Sequence, residues 1–170
     1  SKGDVVRIAT DASSDTVFKG SMCFVAGNGD YRLRTRETKA STDELELEAL
    51  TLALKYLLKV GARKAVIESD SVAALEAVEQ IVHKRGSKAS RPGRTWRGVS
   101  SGARSRFQQA WGDIQGQCEV DIRRVLGHAG DPLNRAADQI AYMGLRAIAH
   151  PMKQSRETLR EGIQKALLAL

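Results

Sequence analysis

Ser41-Thr42-Asp43-Glu44-Leu45-Glu46-Leu47-Glu48-Ala49-Leu50-Thr51-Leu52-Ala53-Leu54-Lys55-Tyr56-Leu57-Leu58-Lys59-Val60-Gly61 reads as one long helix. Ser41 or Thr42 can accept from the free amides of its first turn, and Gly61 suits the left-handed residue that ends it. On a 3.6-residue wheel Ala49, Leu50, Ala53, Leu54 and Leu57 form an apolar stripe with Glu46 on it. Glu48 shares its face with Glu44, Lys55 and Lys59, the side expected to be wet. A carboxylate on a buried stripe must be paired, protonated or bound to a cation. No Lys or Arg stands three or four residues from Glu46 along the helix. Either Glu46 reaches solvent near the helix N-terminus, or something positive meets it there.

Upstream, Val5 to Thr10 reads as a β-branched strand that stops at Asp11-Ala12-Ser13-Ser14-Asp15. Phe18 to Ala26 and Tyr31 to Arg36 form a hairpin around Gly27-Asn28-Gly29-Asp30. Downstream come a strand over Lys64 to Ser69, a helix over Ser71 to Val82, and a fifth strand over Val120 to Val125. The stretch from Gly86 to Ser105, rich in Gly, Ser and Arg, reads as an exposed loop with some helix. Asp131 caps a further helix with Pro132 at its first position, and His150-Pro151 ends it. The order β-β-β-α-β-α-β-α predicts an α/β fold in which the first helix crosses from the hairpin to a parallel strand.

The chain has 170 residues, the size of one domain. Residues 1–150 are expected to form that domain, with a basic loop at 83–106, and residues 151–170 a C-terminal extension. Leu159, Ile163, Ala166, Leu167 and Leu170 put one apolar face on the extension. The longest strictly apolar run, Ala166 to Leu170, is far short of a membrane span, so no membrane partner is expected. Ser1-Lys2-Gly3-Asp4 carries no signal-peptide core, and a cytoplasmic protein is the expectation. In that compartment Cys23 and Cys118 are reduced packing residues.

Lys and Arg number 27 against 20 Asp and Glu, a net charge of +7. Such a field favours polyanions, because neutralised phosphates release condensed counterions. From Lys84 to Arg106 the chain carries Lys84, Arg85, Lys88, Arg91, Arg94, Arg97, Arg104 and Arg106 without one acid.

Asp11 and Asp70 close two predicted strands, Glu46 stands in the first turns of one helix, and Asp138 in the second turn of another. Converging carboxylates repel one another and raise their pKa values unless a cation joins them. Mg²⁺ prefers oxygen ligands and often completes its shell with substrate phosphate. Two such ions roughly 4 Å apart can activate a water and stabilise a leaving oxygen. Taken singly, Asp11 and Asp70 read equally well as caps, and Asp138 as an exposed helix acid.

Gly127-His128-Ala129-Gly130-Asp131-Pro132-Leu133-Asn134-Arg135-Ala136-Ala137-Asp138 closely resembles the G-H-x-G-x-P-x-N-x-x-A-D signature of ribonuclease H type 1. Thr10-Asp11-Ala12-Ser13 resembles that family's T-D-G-S, and Ile67-Glu68-Ser69-Asp70-Ser71 its I-x-S-D-S. The register of the acidic helix selects Glu46 over Glu48, in agreement with the wheel. The matches run in the family's order over about residues 4–149.

The resemblance implies a five-stranded mixed sheet, three antiparallel strands then parallel ones, flanked by helices. It implies Asp11, Glu46, Asp70 and Asp138 as ligands of two Mg²⁺ ions, with Mn²⁺ a substitute, and no organic cofactor. His128 is implied to assist proton transfer or product release, a role suited to a group whose charge changes near neutral pH. The implied activity is endonucleolytic hydrolysis of the RNA strand of an RNA–DNA hybrid, leaving 5′-phosphate and 3′-hydroxyl ends. The basic stretch resembles the family's protrusion that grips the DNA strand. Lys84, Arg85, Lys88, Arg91, Arg94, Trp96 and Arg97 there, with Ser13, Thr42 and Asn134, make up the implied nucleic-acid surface. A monomer is the default.

The chain departs from the pattern at the residues that read the hybrid. Ala12 stands for the family's Gly, Ser13-Ser14-Asp15-Thr16 for its glycine-rich turn, and Thr42-Asp43 for Asn residues that feel the 2′-hydroxyl. Val72 takes a place often held by a polar minor-groove reader. Two alternatives follow: a nuclease of the same fold acting on structured DNA or RNA, and a non-catalytic nucleic-acid-binding module. Telling RNA from DNA rests on 2′-hydroxyl contacts.

Overall fold

The strand Val6–Ser14 (β1) is the centre of a five-stranded sheet. In the computed structural model, residues 4–15, 18–83, 99–126, 130–151 and 156–170 are described. Lys19–Ala26 (β2) and Tyr31–Glu37 (β3) add to one side of β1 as antiparallel strands. Lys64–Ser69 (β4) and Glu119–Arg124 (β5) add to the other as parallel strands, giving the order β3-β2-β1-β4-β5. This is the mixed sheet expected from the sequence. β1 does not stop at Asp11, however: it runs on to Ser14, because β2 offers partners as far as Ser14↔Gly20. The polar letters after Thr10 read as a turn, yet the hairpin pairing holds them extended.

Thr42–Val60 (α1) packs on one face of the sheet. Ser41 caps it by accepting from the Glu44 amide at 3.2 Å, and Gly61 ends it at φ 69°. Beneath it lie Ile8, Met22, Phe24 and Ile67, all buried. Its other side is covered too, by Val72–His83 (α2) and Ser101–Ile114 (α3). The helix α3 was not legible as an element: its sequence is polar, and only Ala103, Phe107, Ala110 and Ile114 turn inward. Its presence corrects the reading of Glu48 as a wet residue. The Glu48 side chain is only 12% exposed and accepts from Arg106 Nε of α3 at 2.8 Å. Arg36 of β3 stands 3.9 Å from its other oxygen.

Pro132–Ala149 (α4) covers the opposite face, with Leu133, Ala136, Ala137, Ile140 and Ala141 against Ala9, Cys23 and Val25. Asp131 caps it by accepting from the Leu133 amide at 2.9 Å. The approach is close at Gly144, where an added Cβ would stand 2.7 Å from Leu33 of β3. Arg156–Leu168 (α5) packs on α4 and buries Ile163 and Ala166 there. Cys23 on β2 and Cys118, just before β5, are buried free thiols. Among the described residues, no helix is long and apolar enough to cross a membrane.

Candidate active site

β1 pairs with β4 only as far as Ala9↔Glu68, whereas its pairing with β2 continues to Ser14. Past that point, among the described residues, β1 keeps only a side-chain bond to β4, from the Thr10 hydroxyl to the Glu68 carbonyl at 3.0 Å, and a cleft of about 470 Å³ opens there. Asp11 stands on the unpaired stretch of β1. Asp70 follows the last residue of β4, and Glu46 comes in from the first turns of α1. One carboxylate oxygen from each of Asp11, Glu46 and Asp70 lies within 4.8 Å of the other two. Asp138 of α4 is outside that trio but lines the same cleft and adds to the negative field on Asp11.

Glu46 is 4% exposed, and its Oε2 has no hydrogen-bond partner among the described residues. Burial, then the charge of Asp11 and a hydrogen bond shared with it, push the Glu46 carboxyl up to about 10. Burial also pushes Asp11 up to about 7, against the lowering effect of its bond to Glu46 and of the Ala12 amide, which donates at 2.9 Å. Asp70 and Asp138 add to the rise. As the protein stands, the pair retains a proton at neutral pH. A dication resolves the same conflict: it supplies the positive charge and a partner for the orphaned oxygen. All-carboxylate donors with one exposed member, Asp70, suit a hard ion that keeps waters, as Mg²⁺ and Mn²⁺ do. The residues therefore fit a divalent ion.

Asn134 lines the cleft, but its Nδ2 donates at 2.7 Å to Glu68 Oε2. Thr42 and Ser14 bring their hydroxyls to 2.5 Å of each other beside the first turn of α1. Ser13 is half-buried on β1, opposite Ser21. Val72 is 46% exposed at the start of α2. His128 and the basic residues Lys84, Arg85, Lys88, Arg91, Arg94, Trp96 and Arg97 lie outside the described residues.

Sequence reasoning missed one group on the cleft wall. Arg7 Nε donates at 2.6 Å to Glu68 Oε1, and Arg7 Nη2 donates to Asp131. Burial works against the Glu68 charge, but the hydrogen bonds from Arg7 and Asn134 outweigh it and hold the carboxyl below its ordinary range. The available signal was strand alternation, since Glu68 precedes Asp70 by two residues and shares its face.

A family model described as RNase H matches residues 3–146 of the chain. No curated protein gives a significant match.

Proposed function

Because this chain belongs to the ribonuclease H family, whose nucleases act on RNA–DNA hybrids, we propose that it cuts the RNA strand internally by a two-metal-ion mechanism. The observation that carries the reading is Glu46: a buried carboxylate against Asp11, with one oxygen unpartnered among the described residues, behind the cleft that Asp11 and Asp70 line. Buried carboxylates perturbed by burial and by one another cluster at functional sites.

Asp11, Glu46, Asp70 and Asp138 would hold two Mg²⁺ ions, with Mn²⁺ as a substitute. When bound, the ions supply an activated water and charge that stabilises the leaving oxygen. Glu46 and Asp11 give up their retained proton on loading and act as fixed anions. Asp70 and Asp138, both exposed, face the incoming phosphodiester. Water adds to phosphorus, the bond to the 3′-oxygen breaks, and the products are a 5′-phosphate and a 3′-hydroxyl. His128 delivers or removes the proton that this exchange requires. Arg135, on the cleft rim, is placed to meet a phosphate. Lys84, Arg85, Lys88, Arg91, Arg94, Trp96 and Arg97 grip the DNA strand, with Ser13, Thr42 and Asn134 nearer the cut. In this reading residues 1–150 are the nuclease domain and 151–170 an extension that braces α4.

The test is cleavage of end-labelled hybrid, duplex DNA and duplex RNA with and without Mg²⁺. Cutting of only the hybrid's RNA, only with metal, and with 5′-phosphate ends supports the proposal. Equal cutting of duplex DNA transfers the site to other structured substrates. Hybrid binding without turnover in either metal overturns the catalytic reading.

A further inference from the structure

Asp11, Glu46 and Asp70 are held together by β1, its pairing with β4, and α1, whereas Asp138 arrives on α4 from the other face of the sheet. Something must fix how far α4 slides along that face. Leu133 and Ile140 anchor it among small neighbours, Ala136, Ala137, Ala141 and Gly144, whose similar surfaces add little to its register. The polar contacts are specific. Cys23 Sγ donates to the Ala137 carbonyl at 3.2 Å, and Ser21 Oγ to that of Ala141. Cys23 lies opposite Asp11 and Ser21 opposite Ser13, so α4 runs in the same direction as β1 and β4.

At the N-terminal end of α4, Glu68 accepts from Asn134 on one oxygen and from Arg7 on the other, while Arg7 also holds the cap residue Asp131. Glu68 on β4 and Asp70 just past its end are two residues apart, about 6.6 Å for extended chain. Asn134 and Asp138 are four apart on a helix, about 6 Å along its axis and on one face. The two spacings match, and the elements run the same way. Seating Asn134 on Glu68 therefore sets Asp138 opposite Asp70. Arg7 also pairs with both Glu68 and Asp131, two cleft-lining carboxylates outside the proposed ligand set.

We infer that Arg7 and Glu68 are positioning residues that register α4 against β4 and thereby bring Asp138 to the metal site. This rests on the proposed role of the four carboxylates. In this account neither residue contacts the substrate or an ion.

The experiment is a Mn²⁺ titration by calorimetry on the full chain, beside hydrogen exchange and steady-state hybrid cleavage, for the wild type, Glu68→Ala, Glu68→Gln, Arg7→Ala, Asp138→Ala and the double variant Glu68→Ala/Asp138→Ala. Loss of a partner that orients a ligand typically weakens metal binding or activity by about 10- to 100-fold. Glu68→Ala and Arg7→Ala should weaken the Mn²⁺ site that depends on Asp138 by about tenfold and lower kcat with KM within twofold. Exchange should rise in residues 131–138 but not in α1. Glu68→Gln, which keeps an oxygen for Asn134, should recover part of the loss. In the double variant the losses should not add, because Asp138 is already displaced. Folded Glu68→Ala with wild-type Mn²⁺ binding and kcat overturns the inference, as do additive losses in the double variant. If the wild type binds Mn²⁺ but cuts no hybrid, the functional reading fails while the titration and exchange still judge the register. If the wild type binds no Mn²⁺, both fail together.

Discussion

The carboxyl groups of Asp11 and Glu46 share a hydrogen bond although one stands on the central strand and the other on a helix that packs against the sheet. They meet because β1 outruns its pairing with β4, which leaves the side of Asp11 open where Glu46 and Asp70 arrive. Neither acid can ionise freely there.

Metal-free stability depends on pH through this pair. Glu46 and Asp11 have folded-state pKa values raised by burial to about 10 and about 7, above those of the unfolded chain. The folded state therefore holds protons that the unfolded state has released, and stability falls as pH rises from about 5 towards 9. Without metal, Tm should drop by several degrees over that range from this pair. Glu46→Gln should flatten the slope and raise Tm at pH 8. A thermal melt series in buffers free of divalent ions checks it, and an unchanged slope in Glu46→Gln would contradict it.

Loading the site should expel the retained proton. Mg²⁺ or Mn²⁺ added at pH 7 should release about one proton per protein and raise Tm, by linkage of metal binding to deprotonation. Calorimetry in two buffers of different ionisation heat reads the proton count directly. Asp11→Asn should abolish the release.

Asp11→Asn and Asp70→Asn should each cut Mg²⁺-dependent hybrid cleavage by about a thousandfold or more, equivalent to about 4 kcal/mol of transition-state stabilisation. Neither should unfold the protein, since removing one charge from a crowded acidic site relieves repulsion. Single-turnover rates with circular dichroism on the same samples separate lost chemistry from lost fold.

Much of this site was legible before the fold was known. Glu46 declared itself by lying on an apolar stripe, and Asp131-Pro132 and Gly61 marked helix ends through local backbone chemistry. What stayed hidden depended on partners distant in sequence. Glu48 looked solvated because the stretch that covers it, α3, buries only Ala103, Phe107, Ala110 and Ile114, too thin a stripe amid Arg, Ser and Gln to stand out. Asp11 looked like a strand end because nothing local says that β2 keeps pairing to Gly20. The Arg7–Glu68–Asn134 link joins residues 61 and 66 positions apart, and no local pattern encodes it.

Gly144→Ala tests how tightly α4 lies on the sheet. The new Cβ would meet Leu33 Cδ1 at 2.7 Å, so α4 or β3 must give way. Overpacking of this kind costs about 1–3 kcal/mol, and Tm should fall by about 2–4 °C per kcal/mol. A Tm within 1 °C of wild type, read against roughly that scale, would show that the contact is slack.

The basic stretch should act through phosphates. Replacing Arg91, Arg94 and Arg97 together by Ala should weaken hybrid binding and lower the slope of log affinity against log salt by about 2–3. Binding should be measured with Asp70→Asn protein so that no substrate is cut. An unchanged slope would remove these arginines from the interface.

The central claim is that Asp11, Glu46, Asp70 and Asp138 hold divalent cations, and crystals grown with Mn²⁺ test it most directly. The account predicts anomalous peaks at about 2.0–2.3 Å from the carboxylate oxygens of Asp11, Glu46 and Asp70, with Glu46 Oε2 no longer unpartnered and Asp138 beside the second ion. An ordered cleft without an anomalous peak at millimolar Mn²⁺, with Glu46 still protonated against Asp11, would contradict it.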